Sequence, residues 1–521
     1  MRLAWSLAAP AIMLFAASCG TVDQTSPTAG QDAAAAAGID AASAHHSAPE
    51  AATGAEAAKP GQPADWDTEF RIPDAADANP DPNIVEVTIE ARLQMLTILP
   101  SGAEGGPPPQ TEMWTYNGGV PGPTIRTKKG DRLIVHFKNS LPEATTVHWH
   151  GVRLPNAMDG STMVQAPIAP GGTFDYDFVV PDAGTYWYHP HIDSSVQVAF
   201  GLYGVLVVED PSEPPLGDEL LIVLSDAGIN PDGSLMDGAI SGWFGDYFGR
   251  EGNVELVNGK SRPKLKMRAG MPQRWRVLDA SRAAFQLFDV AGVALTRIGG
   301  DDGLSSGPYP VTRAELTPGE REEIFAVATA PPGSTITAMH EFADRFHTGV
   351  SMPGVPLFDI EVTADPQWTG GPVLPTKLAS IAPIDVSNAT TREITFDDVL
   401  EASDAGVDGG LDYLGINGKS STDMTKMTSV HVKVGTTEIW NVTNHTSQDH
   451  PFHMHGYQFQ VLAVGGTPPP VLEWRDNVKV PAQEKLELAV NFDSRPGMWM
   501  FHCHILDHAE MGMMAMLVVD P

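Results

Sequence analysis

Short β-forming runs such as "DRLIVHFKN", "TFDYDFVV" and "YGVLVVED", punctuated by 51 glycines and 44 prolines, predict an all-β protein of sandwich type. Two further observations agree: helical periodicity is scarce, and one β-like pattern recurs three times along the chain. The copies open at Tyr116 ("YNGGVPGPTIRTKKGDRLIVHFKN"), Val257 ("VNGKSRPKLKMRAGMPQRWRVLDAS") and Ile416 ("INGKSSTDMTKMTSVHVKVGTTEIWNVTNHT"). Each starts with Asn-Gly, passes another glycine and enters a strand-like run. At 521 residues and 42% hydrophobic content the chain can build several cores, so we expect three β-sandwich domains over 66–212, 213–370 and 371–521.

The segment before them reads differently. Residues 1–19 hold Arg2, an apolar run through Phe15 and then "AASCG", the pattern of a secretory signal. Cys19 also matches the lipid-modified cysteine of bacterial lipoproteins, although Ala16 stands where Leu is usual, so lipid attachment and plain cleavage are both open. Residues 20–65 are rich in Ala, Ser, Pro and Gly and read as a disordered tether, with His45 and His46 as solvated linker residues. We therefore expect an exported protein, periplasmic or extracellular, with Cys19 as the candidate attachment point to a bacterial membrane.

A net charge of −33 argues against nucleic acid or an anionic membrane surface as partner. Of two cysteines, only Cys503 remains once Cys19 is lipidated or removed, so the mature chain forms no internal disulfide. An exported chain that keeps one thiol is expected to ligate something with it.

That thiol lies in "FHCHILDH", Phe501 to His508. In an extended segment His502 and His504 share one face, about 6–7 Å apart, while Cys503 points to the other, so the stretch can serve two metal sites. Matching pairs occur elsewhere. "GTYWYHPHI" with His189 and His191 aligns with "GMWMFHCHI", and Pro190 stands where Cys503 stands. "VHWHG" with His148 and His150 aligns with "FHMHG" with His453 and His455. Four His-x-His pairs from two equivalent domains imply a metal cluster between those domains, whereas the middle copy has no such pair and reads as a spacer. His450, three positions before His453, falls on the Cys503 side. With His508 and Met513 it completes two imidazoles, a thiolate and a thioether, the ligand set of a blue-copper electron-transfer centre.

With "HWHG", "WYHPH", "HPFHMHG" and "HCHILDHAEMGM" in order, residues 66–521 resemble the three-domain multicopper oxidases, a laccase-like family built of cupredoxin folds, Greek-key β-sandwiches. The resemblance implies four coppers: type 1 held by His450, Cys503, His508 and Met513, and type 2 by His148 and His453. It implies one type 3 copper on His150, His189 and His504, and the other on His191, His455 and His502. It also implies four one-electron oxidations of a reducing substrate, with O₂ reduced to two waters; separately, the chain is expected to act as a monomer. Protons must reach that cluster. Asp159 matches the family's acidic residue near type 2, while the relay acid expected directly after His508 is replaced by Ala509, leaving Glu510 as the candidate.

For substrate, cuprous oxidases of the family carry Asp and Met just before the residue matching His450, where this chain has Thr446 and Gln448. Phenol-like organic donors are therefore expected first and Cu(I) or Fe(II) second. Met424, Met427, Met498, Met500, Met511 and Met514 are read mainly as core, with Cu(I) ligation as the alternative. A non-catalytic cupredoxin relative would lack ligands, and a copper nitrite reductase would have two domains and no second type 3 set. Neither matches this chain.

Overall fold

The three Asn-Gly steps are tight turns. Asn117, Asn258 and Asn417 have φ of 53°, 51° and 53°, and the glycines after them have φ of 85°, 72° and 69°, the left-handed pair that a two-residue hairpin turn requires. Each asparagine side chain also extends a ladder: its Oδ1 accepts from the backbone N–H of Glu90, Val223 or Thr395 at 2.6, 2.6 and 2.8 Å. The repeated dipeptide thus fixes the same turn and the same strand junction three times.

This computed structural model describes residues 61–100, 107–238, 242–368, 370, 374–401 and 411–521. In each repeat a long strand (Ile84–Leu96, Asp218–Ala227, Thr390–Glu401) pairs antiparallel with the strand that ends at the Asn-Gly turn. It pairs parallel with the strand that follows (Arg132–Asn139, Pro272–Asp279, Thr436–Asn444). A second sheet forms where a short strand after the turn (Ile125–Lys128, Lys264–Met267, Thr428–Lys433) runs parallel to the last strand of the repeat (Gly204–Glu209, Val355–Val362, Met514–Asp520). Two sheets per repeat give six in all among the described residues. The all-β sandwich class is as expected, and the described α-helices are three short pieces, Ser194–Ala199, Gly242–Phe248 and Leu506–Met511.

Alternation drives the layering. Thr428–Lys433 buries every second residue, Val430 and Val432 among them, and leaves Ser429, His431 and Lys433 in solvent. Trp149, Trp187, Trp440 and Trp499 fill the interior beside the histidine-bearing strands.

The signal, Cys19, His45 and His46 lie outside the described residues, as does most of the tether. Its last residues are described, and Gln62 accepts from the Arg268 N–H at 3.0 Å. Among the described residues no helix is long and apolar enough to cross a membrane.

Candidate metal centre

Strand register brings the histidine pairs together. His148–His150 runs antiparallel to Gly184–His189 with His148 opposite His189, and His450–Met454 runs antiparallel to Gly497–Cys503 with His453 opposite His502. Because side chains alternate, the next pair along, Phe452 opposite Cys503, faces the other way. One face therefore gathers eight imidazoles from two repeats, and the other receives the thiol.

On the first face the donors form three sets, each with its ligand atoms within 4.8 Å of one another: His148, His150 and His453; His150, His189 and His504; His191, His455 and His502. The rings cross between repeats, with His150 stacked on His453 at 3.8 Å and His148 on His455 at 3.9 Å. All eight are buried. Burial first, and neighbouring rings second, hold His150, His189, His455, His502 and His504 well below the ordinary imidazole range, and His191 is pushed down to about 3. These shifts favour the neutral ring, which keeps a lone pair free.

The outer nitrogens decide which lone pair. His148 Nδ1–H donates to the Asp159 carbonyl at 2.8 Å, His189 to the Pro190 carbonyl at 2.9 Å and His453 to the Asp476 carbonyl at 2.9 Å. His455 Nδ1 donates to the Asp159 carboxylate at 3.0 Å, and His150, turned the other way, donates from Nε2 to Asp476 Oδ1 at 2.8 Å. The inward atoms His148 Nε2, His150 Nδ1, His189 Nε2 and His453 Nε2 have no hydrogen-bond partner. Several inward-facing, unpartnered, buried imidazole nitrogens in one cavity fit a metal cluster, since metal bonding satisfies them and their outer bonds fix the tautomers.

On the opposite face Cys503 Sγ lies 3.5 Å from His450 Nδ1 and 3.5 Å from His508 Nδ1, which are 3.2 Å apart. Three donors at these separations suit one ion at their centre. Met513 is buried beside them, its carbonyl accepting from the Cys503 N–H at 3.1 Å and its N–H donating to the His508 carbonyl at 2.9 Å. Burial raises the Cys503 thiol well above its ordinary value and pushes His450 down to about 3. The thiol must therefore give up its proton when a metal binds.

A multicopper oxidase of Mycobacterium tuberculosis is 31% identical over 463 residues, 81% of this chain and 86% of its own length. The chain belongs to the multicopper oxidase family. Two family profiles, both described as multicopper oxidase, match residues 103–213 and 388–521 of it. A laccase of Bacillus subtilis is 28% identical over 498 residues, 79% of this multicopper oxidase and 91% of its own length. The solved structure of a Campylobacter jejuni multicopper oxidase, titled a metallo-oxidase, superposes with a TM-score of 0.75 at 28% identity, covering 89% of this chain and 99% of that one.

As a multicopper oxidase the protein is an oxidoreductase that uses O₂ and carries four coppers of types 1, 2 and 3. When bound, copper supplies the one-electron steps and the reduction of dioxygen to water. The donor sets above contain every residue singled out in the sequence as a ligand except Met513, which lies next to its set. We expect elemental analysis of the fully loaded oxidase to give about four coppers per chain, with a blue band from the Cys503 thiolate; one copper or none would remove the cluster assignment.

The two candidate relay acids occupy different positions. Asp159 is buried against His455 and His148; burial alone would raise its carboxyl, but the two imidazoles outweigh that and hold it well below the usual range. Glu510 accepts from Ser194 N–H at 2.8 Å and Ser194 Oγ–H at 2.9 Å, and it lines a cavity shared with His191 and His502.

The middle repeat, read as a spacer without copper ligands, touches the centre from behind. Among the described residues it supplies no atom to the donor sets above, yet its Arg321, fully buried, holds Asp476 through Nη1 at 2.9 Å and through Nη2. Asp476 in turn carries His150 and His453. Gly319 (φ 87°) packs so close that a Cβ there would come within 3.0 Å of His504 Nδ1 and 2.7 Å of Asn477 Nδ2. The middle repeat also provides the helix Gly242–Phe248, whose Tyr247 carbonyl accepts from His508 Nε2–H at 3.0 Å. No short motif marks Arg321, Asp476 or Tyr247, because each acts through a contact distant in sequence.

Proposed function

We propose that this oxidase takes its electrons from small donors that need not touch a copper ligand, Cu(I) and Fe(II) before phenols. The carrying observation is the capping of His508. Its ring is fully buried and its outer N–H is already donated to the Tyr247 carbonyl. The cap is pinned on both sides: Arg345 Nη2 donates to the Phe248 carbonyl at 2.6 Å, and Arg250 grips Asp507 with its backbone N–H at 2.6 Å and Nε at 2.9 Å. A phenol that passes a proton and an electron through contact with the imidazole finds that nitrogen occupied. A metal ion yields an electron with no proton, across the Tyr247 peptide.

This reverses the order inferred from Thr446 and Gln448. Both are fully buried: Thr446 Oγ1 lies 2.8 Å from His450 Nε2, and Gln448 Nε2 donates to the Tyr247 carbonyl at 3.1 Å. They brace the site and do not face a donor, so their identity says little about the substrate. The likeness to a laccase supports phenol-type donors as a second reading. Steady-state O₂ consumption with Cu(I), Fe(II) and a methoxyphenol separates the two: we expect the higher kcat/KM for the metal ions, and a clear advantage for the phenol would overturn the proposal.

We assign proton delivery to Asp159, beside His455, and to Glu510, beside the cavity that reaches His191 and His502. The N-terminal apolar run supports export to the periplasm or beyond, with Cys19 as a lipid acceptor, and the presence of all donor sets in one chain supports a monomer.

A further inference from the structure

A cavity of about 140 Å³ opens beside the cluster on the side of His191 and His502. Its walls carry five of the chain's 20 methionines: Met163, Met424, Met427, Met500 and Met514. Four of these are at least nine-tenths buried, whereas Met424 is 45% exposed. Glu510 also lines the cavity.

Met163, Met427, Met500 and Met514 pack on one another with Ala509, yet this packing leaves the cavity unfilled. A core filler closes space, but here the methionine side chains line space that remains open, and two imidazoles whose Nε2 atoms are 3.4 Å apart line it too. Thioether sulfur is a soft, neutral donor that favours Cu(I) over hydrated hard cations. Several such donors around one cavity form a soft-metal site, and a neighbouring carboxylate adds attraction for a cation. The three sequence segments that supply the methionines, 163, 424–427 and 500–514, come from both copper-bearing repeats.

We propose that this cavity binds Cu(I) and passes it to the His191, His455 and His502 set, as the route by which copper enters the cluster. Transfer is ligand exchange from thioether to imidazole, with no electron moved. The inference rests on the assignment of that histidine set to copper and is independent of which donor the enzyme oxidises.

Silver(I), with the same charge and softness and a closed shell, is the probe. The enzyme is first loaded and its four coppers are verified, so a failed family assignment shows at that step and not later. Silver is then added, and what survives gel filtration is counted. We expect wild type to retain about one Ag(I) per chain more than Met427→Leu/Met514→Leu, which keeps side-chain volume and loses two sulfurs. Metal-free protein given Cu(I) under argon should also load the cluster more slowly in the double variant, with equal loading from Cu(II). Should the variant fold poorly, silver-soaked crystals of wild type should show anomalous density among the sulfurs of Met427, Met500 and Met514. Equal silver in both proteins, or no density in the cavity, overturns the proposal.

Discussion

Cys503→Ser is expected to yield a folded, colourless protein that keeps about three coppers and has lost nearly all turnover. The loss should exceed the roughly 100-fold that even changes behind a metal ligand produce, since a ligand itself is removed. Serine offers a harder and far less acidic oxygen in place of the thiolate, so the set with His450 and His508 should hold its ion poorly. The cluster should survive, because Phe452 and Cys503 face away from His453 and His502 in the paired strands. The fold should survive as well: Cys503 is a free thiol with no disulfide to lose, and a buried hydroxyl in its place costs about 1–3 kcal/mol. Absorption spectra, copper analysis and O₂ consumption on one sample check all three points. A persistent blue band, or loss of every copper from a folded protein, would contradict the two-faced arrangement.

Arg321→Met should be the most damaging change outside the donor sets. The guanidinium is fully buried, and besides Asp476 it donates to the Thr185 carbonyl at 2.8 Å, the Gly319 carbonyl at 3.0 Å and the Asp301 carbonyl at 3.0 Å. Burial would raise the Asp476 carboxyl, and Arg321, with His453 second, more than offsets that and favours the carboxylate. Removing one member of such a buried pair costs about 3–5 kcal/mol, because the other charge is left without compensation. The carboxylate that fixes the His150 tautomer is then unsettled, so copper affinity at the set with His189 and His504 should fall by about 10–100-fold. Thermal unfolding and chelator competition measure the two effects. A variant that melts with wild type and holds copper as tightly would show that the middle repeat gives the cluster no support.

Local, periodic features were legible in the sequence. Asn-Gly announces a hairpin turn through backbone sterics alone, and the two-residue period of a strand is enough to send Cys503 and its flanking histidines apart. The pairing of His450 with Cys503 followed from the same parity. Arg321 and Asp476 are 155 residues apart, and Tyr247 lies 261 residues from His508, so their meeting depends on how repeats dock. The surroundings of Thr446 and Gln448 were hidden for a related reason: their identities can be compared with a family pattern, but only packing shows both buried, one against His450 and the other against the Tyr247 carbonyl.

The hydrogen bonds on the outer nitrogens of the histidines have one more consequence, for selectivity. Rings locked before any ion arrives cannot readjust from one ion to the next, so the set refuses ions whose size or preferred geometry does not match and accepts those that do. Among divalent ions copper binds more strongly than zinc at such nitrogen sites, yet a large excess of zinc could still occupy them and leave a mismetallated, silent protein. Between two ions that both fit, discrimination falls to the supply line, and what reaches the imidazoles first matters as much as what they would choose at equilibrium.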